Sequence, residues 1–239
     1  MKSLSISLNS FIFLELLVLL SGIEGISAEY EDKTITDNTL KMVLANFQKM
    51  VGHNFAIPDQ HLFINQSQIF LNGSISDGSL TDPSSFSIDM AHVNMSTLEF
   101  FSGVSYTSLS IDGKYSLFLD NDYVHMESSD KFSIDIGDMA ASIYFKLNFT
   151  EEQTLQLENL IVDYNMTVKI DIKYLGGNIE VSNTLNKLIN EVTPDIIQST
   201  KPDVQAIAMN AASEKSKFIL GGMTLQNFID FVNSLAQGS

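Results

Sequence analysis

Between about Phe55 and Tyr174, apolar and polar residues alternate one for one over most of the chain, a period that suits extended strands with one buried face. Phe86, Ile88 and Met90 alternate with Ser87 and Asp89, and Leu109, Ile111, Tyr115, Leu117 and Leu119 keep one parity across Gly113. Phe132, Ile134 and Ile136 form a third such set, Ile143, Phe145, Leu147 and Phe149 a fourth, and Met166, Val168, Ile170 and Ile172 a fifth. Each run predicts an antiparallel strand, apolar on one side and wet on the other. Asp77-Gly78, Asp82-Pro83, Asp112-Gly113 and Asp120-Asn121-Asp122 carry turn chemistry and are expected to separate the strands.

Helical periods bracket this region. Leu40, Val43, Leu44, Phe47 and Val51 make one apolar stripe behind a cap at Thr36 or Asp37, and Gly52 and Pro58 end it. After Gly176-Gly177 a second stripe starts near Ser182 or Asn183 with Leu185, Leu188, Ile189, Val192 and Ile196, and continues through Val204, Ile207, Ala208 and Ala211. Pro194 and Pro202 lie inside it; each lacks an N–H and crowds the preceding turn, so each predicts a kink or a restart. A last amphipathic piece, Phe218 to Leu235, carries Leu225, Phe228, Ile229 and Val232.

A long sheet with one apolar face must cover that face, and the terminal helices have the stripes to do it. The expected fold class is therefore α+β, with residues 28–239 as a single domain. At 44% apolar residues, one sizeable core is affordable.

The first residues read as a signal peptide, 1–27: Lys2 gives the positive start, Phe11 to Leu20 the apolar run, and Gly22, Gly25, Ser27 and Ala28 the small residues before cleavage. Such a run is too short to span a bilayer. The expected location is secreted and extracellular, without stable membrane anchoring. Five N-x-Ser/Thr sequons, at Asn65, Asn72, Asn94, Asn148 and Asn165, are candidate glycosylation sites, and Asn148 and Asn165 fall on the polar parity of their strands.

Composition excludes several chemistries. The chain has no cysteine, which removes disulfides, thiolate nucleophiles and cysteine-ligated metals. Its 13 basic residues are all lysine against a net charge of −16, a poor electrostatic basis for nucleic-acid binding. No nucleophile elbow, zinc-protease motif, phosphate loop or dinucleotide fingerprint occurs. His53, His61, His92 and His125 lack ligand spacing, and Asp120 and Asp122 lack the glycine and distal glutamate of a calcium loop. No enzyme activity, metal or cofactor is expected.

The apolar inventory includes 16 Phe and 10 Met with no Trp. Methionine is flexible and suits walls that accept varied shapes. Periodicity alone does not distinguish a filled core from a ligand tunnel. If there is a tunnel, its expected walls are Val43, Leu44 and Phe47, then Ile88, Met90, Phe145 and Leu147, then Leu188, Ile189 and Val192.

Two stretches carry a family likeness: Asn72 to Ile88 (NGSISDGSLTDPSSFSI), and Ile170 to Val232, which passes from the last strand through Gly176-Gly177 into the closing helices. In them the chain resembles the juvenile-hormone-binding, takeout and group-seven mite allergen proteins of arthropods, within the tubular lipid-binding superfamily. The resemblance implies a long curved antiparallel sheet wrapped around a long C-terminal helix, a super-roll, with an apolar pocket between them. Hormone-binding and takeout relatives usually carry a cysteine pair near the mature N-terminus; its absence here, with Gly176-Gly177, is more similar to the group-seven branch. The implied role is a carrier or scavenger of a small apolar ligand such as a fatty acid or terpenoid. The alternative is an extracellular interaction or immune-response glycoprotein of the same fold with a filled core.

Overall fold

The computed structural model describes residues 34–66, 69–121 and 125–238. The expected signal peptide and its cleavage site lie outside the described residues. Thr36 opens helix α1 (Asp37–Val51): its hydroxyl accepts from the Thr39 N–H, and the Thr39 hydroxyl accepts from the Thr36 N–H, both at 3.2 Å. Gly52 stops the helix at φ 72°, a left-handed conformation that glycine adopts without cost.

Seven strands follow: β1 (Asn54–Ile57), β2 (Gln60–Gln66), β3 (Ile69–Thr81), β4 (Ser87–Asn94), β5 (Glu99–Asn121), β6 (His125–Phe149) and β7 (Leu155–Ile172). All pairings are antiparallel, with β3, β5, β6 and β7 in sequence across the sheet. The short strands share edges end to end. β4 and β3 lie one after the other along β5, pairing with Glu99–Ser105 and Ser110–Asn121, and β1 and β2 divide the outer edge of β3 in the same way.

The strands are longer than the turn chemistry predicts. Asp77-Gly78 is no turn but a bulge inside β3, where the register shifts between Ser76 and Ser79 and Asp77 takes φ 53°. Asp112-Gly113 lies inside β5; a Cβ at Gly113 would stand 2.7 Å from the Phe132 ring, so glycine is there for close approach. The runs at Phe132–Ile136 and Ile143–Phe149 are one 25-residue strand, with Asp138 at φ 47° where the register against β7 shifts. Asp82-Pro83 does turn the chain, and the half-buried Tyr106 hydroxyl donates to the Pro83 carbonyl at 3.1 Å. Burial pushes the Tyr106 pKa up to about 12. Asp120 and Asn121 close β5; Asp122 lies outside the described residues.

Beyond β7 the chain reverses through a 3₁₀ turn, Leu175–Gly177, with Tyr174, Gly176 and Gly177 all at positive φ. The turn is tied to the sheet: the Tyr115 hydroxyl donates to the Lys173 carbonyl at 2.6 Å, and the Ser128 hydroxyl to that of Tyr174 at 2.9 Å. Helix α2 (Ile179–Leu220) then runs for 42 residues through Pro194 and Pro202 without the restart that proline chemistry suggests. Helix α3 (Leu225–Gln237) follows Gly221-Gly222, capped by the Thr224 hydroxyl. This is the expected α+β arrangement: a long, unclosed antiparallel sheet, a long C-terminal helix and an amphipathic N-terminal helix.

What holds α2 in place explains its continuity. One edge of β7 pairs with β6 and leaves the other edge's N–H and C=O groups without a strand partner. Side-chain amides of α2 take that role. Asn190 accepts from the Ile170 N–H and donates to its C=O, both at 2.7 Å; Asn186 does the same to Ile172, both at 3.0 Å. Gln205 accepts from the Val162 N–H at 2.7 Å and donates to the Leu160 carbonyl. The spacing fits, because four helical residues advance about 6 Å and two strand residues about 6.6 Å. Asn186 and Asn190 therefore meet alternate residues of the strand.

Candidate functional site

Helix α1 lies against α3 and β4. Three polar attachments fix it. The Asn46 amide donates to the Leu235 and Ala236 carbonyls at 3.0 and 2.8 Å, and the Gln48 amide donates to those of Ser84 and Phe86 at 2.8 and 2.6 Å. At its first turn the Asp37 carboxylate accepts from the Val93 N–H at 2.7 Å and faces His92 Nδ1 at 3.4 Å. The Val93 N–H, helped by His92 and Lys41, holds the Asp37 pKa below its ordinary value against the opposing effect of desolvation.

Under α1 is a cavity of about 230 Å³. The helix contributes Leu40, Val43, Leu44 and Phe47, yet none of its residues is fully buried, because their inner side meets open space. The floor is the apolar face of one end of the sheet: Phe100 and Ser102 from β5, Ile143, Phe145 and Leu147 from β6, Leu157 and Leu160 from β7. Ala212, Ser216, Ile219 and Leu220 of α2 and Phe228, Phe231, Val232 and Leu235 of α3 close the sides. Phe100 is the keystone of the floor: its ring stacks on Phe145 at 4.6 Å with planes 6° apart and takes Phe228 edge-on at 5.7 Å. Among the described residues the only polar side chains in the lining are Ser102 and Ser216, and none is ionisable.

The sequence-predicted walls divide evenly. Val43, Leu44, Phe47, Phe145 and Leu147 line this cavity. Ile88, Met90, Leu188, Ile189 and Val192 lie outside its lining: Met90, Leu188 and Val192 are half exposed at 52%, 53% and 50%, and Ile88 and Ile189 are half-buried. The amides at Asn186 and Asn190 cause the difference on the helix. They turn a polar face of α2 toward β7, and the apolar stripe through Leu188 and Val192 points away. Sequence reasoning missed Phe100, Leu157 and Leu160 because parity slips within their strands: Leu157 and Leu160 are three residues apart across the register shift at Lys146 and Leu147, and Phe100 is off the parity of Leu109 and Ile111; it also missed the α3 face, whose stripe was read without a place for it.

Of the sequon residues, Asn72, Asn94 and Asn165 are exposed, and Asn94 also caps a turn by accepting from the Ser96 and Thr97 N–H groups. Asn148 is half-buried, with its Oδ1 enclosed and without a hydrogen bond. The Asn65 side chain lies outside the described residues. His53, His92 and His125 each sit beside one aspartate, Asp82, Asp37 and Asp120, at 3.3–3.4 Å on exposed surface. Among the described residues no group of three or more potential ligands is placed to hold a metal, and no helix is long and apolar enough to cross a membrane.

The family model described as haemolymph juvenile hormone binding protein matches residues 55–230, from β1 into α3. The chain belongs to the haemolymph juvenile hormone binding protein family. Two solved structures are similar to this family member. Takeout 1 of Epiphyas postvittana shares 12% identity over 90% of this chain and 92% of its own, with a TM-score of 0.45. A lipopolysaccharide binding protein shares 12% identity over 72% of this chain and 40% of its own, with a TM-score of 0.32. No curated protein sequence matches the chain significantly.

Proposed function

We propose that this protein is a secreted carrier or scavenger of a small hydrophobic molecule, held in the cavity beneath α1. The observation that carries the reading is the lining itself: eighteen aliphatic or aromatic side chains and alanine against two serines, around space that the protein's own side chains leave open. Transferring a ligand into it gains roughly 25 cal/mol per Å² of apolar surface removed from water, less the costs of ordering. The volume lies just under the about 300–1,000 Å³ usual for ligand pockets, which favours a small occupant. Membership of a family named for hormone binding supports the same role, and the cysteine-free sequence with Gly176-Gly177 favours a branch similar to the group-seven allergens. Export follows from the leader-like N-terminus, and Asn72, Asn94 and Asn165 are the sequons best exposed for glycan attachment.

The test has two arms. Native mass spectrometry of protein collected from the medium of secreting cells should show a non-covalent apolar adduct, and a Phe47→Trp variant should report lipid titrations by fluorescence. Protein retained in the cells would remove export. Bare protein with no fluorescence response to any of several lipid classes would leave an extracellular glycoprotein of this fold.

A further inference from the structure

The cavity has a chemical bias beyond being oily. Its polar lining is two hydroxyls, and they are not equivalent. Ser216 already donates to the Ser213 carbonyl at 3.1 Å within α2. Ser102 shares a face of the sheet with Phe100, and opposite it on β6 is Ile143. Its hydroxyl has no hydrogen-bond partner among the described residues. Around it the walls supply hydrocarbon: Phe100, Ile143, Phe145 and Leu160. A half-buried hydroxyl left open in such a wall gains by pairing with one oxygen of a ligand.

Among the described residues no cation lines this space. The lysines on the enclosing elements are Lys41 and Lys49 on α1, Lys114 on β5, Lys131 and Lys146 on β6, Lys169 on β7, and Lys187, Lys201, Lys215 and Lys217 on α2; all lie outside the lining. Lys146 pairs with Glu158 at 3.1 Å, and Lys201 with Asp163 at 2.9 Å. The carboxylates of these elements, Asp37, Glu99, Glu158, Asp230 and others, are likewise outside it, and the net charge of −16 repels an approaching anion. A carboxylate entering would lose its hydration without gaining a counter-charge.

We propose that the cavity selects an uncharged amphiphile with a single hydrogen-bonding oxygen, such as an alcohol, ketone or ester, that it rejects carboxylates, and that Ser102 is the specificity-determining residue. This rests on the carrier reading above and narrows it. An acid of ordinary carboxyl pKa, about 4.3, is ionised by roughly a thousandfold at pH 7.5, and a site that admits only the neutral form discriminates to that extent.

The experiment displaces uncharged N-phenyl-1-naphthylamine from the full mature chain with three matched probes: 1-decanol, decanoate and decane. Decanol should bind at least about 100-fold more tightly than decanoate at pH 7.5, with the gap closing as the pH approaches the carboxyl pKa. Ser102→Ala should weaken decanol by about 2- to 10-fold relative to decane, and Ser102→Thr should restore decanol binding. An unchanged urea midpoint shows that the variant is folded. Decanoate binding as tightly as decanol would overturn charge rejection, and an unchanged decanol affinity in Ser102→Ala would overturn the role of Ser102. In either case the carrier reading survives. Failure of all three probes, or of the reporter dye itself, to bind would overturn both.

Discussion

The Asn190 side chain closes a ring with the Ile170 backbone, accepting from its N–H and donating to its C=O, both at 2.7 Å. A carboxamide so placed imitates the peptide group of a neighbouring strand. β7 is an edge of the sheet, and an exposed row of donors and acceptors there invites pairing with another chain. Asn190→Ala should cost about 1–3 kcal/mol by leaving both groups of Ile170 unpaired, measured as a lower urea midpoint. Combined with Asn186→Ala it should also produce concentration-dependent aggregation by light scattering. An unchanged midpoint in the double variant would show that water replaces the amides without cost.

Phe100 is 2% exposed, packed between Phe145 and Phe228, and also forms cavity wall. Phe100→Ala should therefore do two things. Stability should drop by about 3–5 kcal/mol, the cost of a lost aromatic and an unfilled hole. The cavity should grow where the ring stood, so ligand preference should move toward bulkier molecules. Urea denaturation and a ligand size series measure the two effects separately.

Much of the fold was legible because the sheet buries one face: apart from Phe86, just ahead of β4, every alternating run up to Ile172 became strand. Turn residues misled where the strands bend rather than end. Asp77-Gly78 and Asp112-Gly113 look alike in sequence, yet one is a bulge and the other a close approach to Phe132, and only the neighbouring strand decides. The site was half legible. The α1 stripe names its inner face unaided, and strand parity names Phe145 and Leu147. On α2 the apolar stripe was the wrong guide, because a helix laid along a strand edge spends its buried face on hydrogen bonds. Asn186, Asn190 and Gln205 were polar residues within a helical stripe, and their partners are distant in sequence.

That inversion gives a third test. Leu188→Ser and Val192→Ser change half-exposed residues outside the cavity and should shift stability by less than about 0.5 kcal/mol, with dye affinity unchanged. Leu157→Trp, on the cavity floor, should abolish dye binding by filling the space. Loss of binding in the helix pair would mean that a ligand reaches the outward stripe.

The attachment of α1 should depend on acid. Asp37 has a folded-state pKa lowered below 3.8 by the Val93 N–H and His92, so its carboxylate favours the folded, docked helix above 3.8. That contribution is lost as the pH falls through 3.8 toward the lower folded value, when protonation removes the charge that the Val93 N–H and His92 face. Asp163, lowered by Lys201, titrates in the same direction and fastens α2 instead. The two separate by substitution. Asp37→Asn keeps an acceptor for Val93 but has no charge to lose, so it should flatten the acid dependence of ligand release and of Phe47→Trp fluorescence while leaving α2 as it was. With Asp37 intact, release should quicken only below about pH 4, because above it the carboxylate is ionised in docked and undocked states alike. Faster release already at pH 6 would show that the acid response does not lie with Asp37.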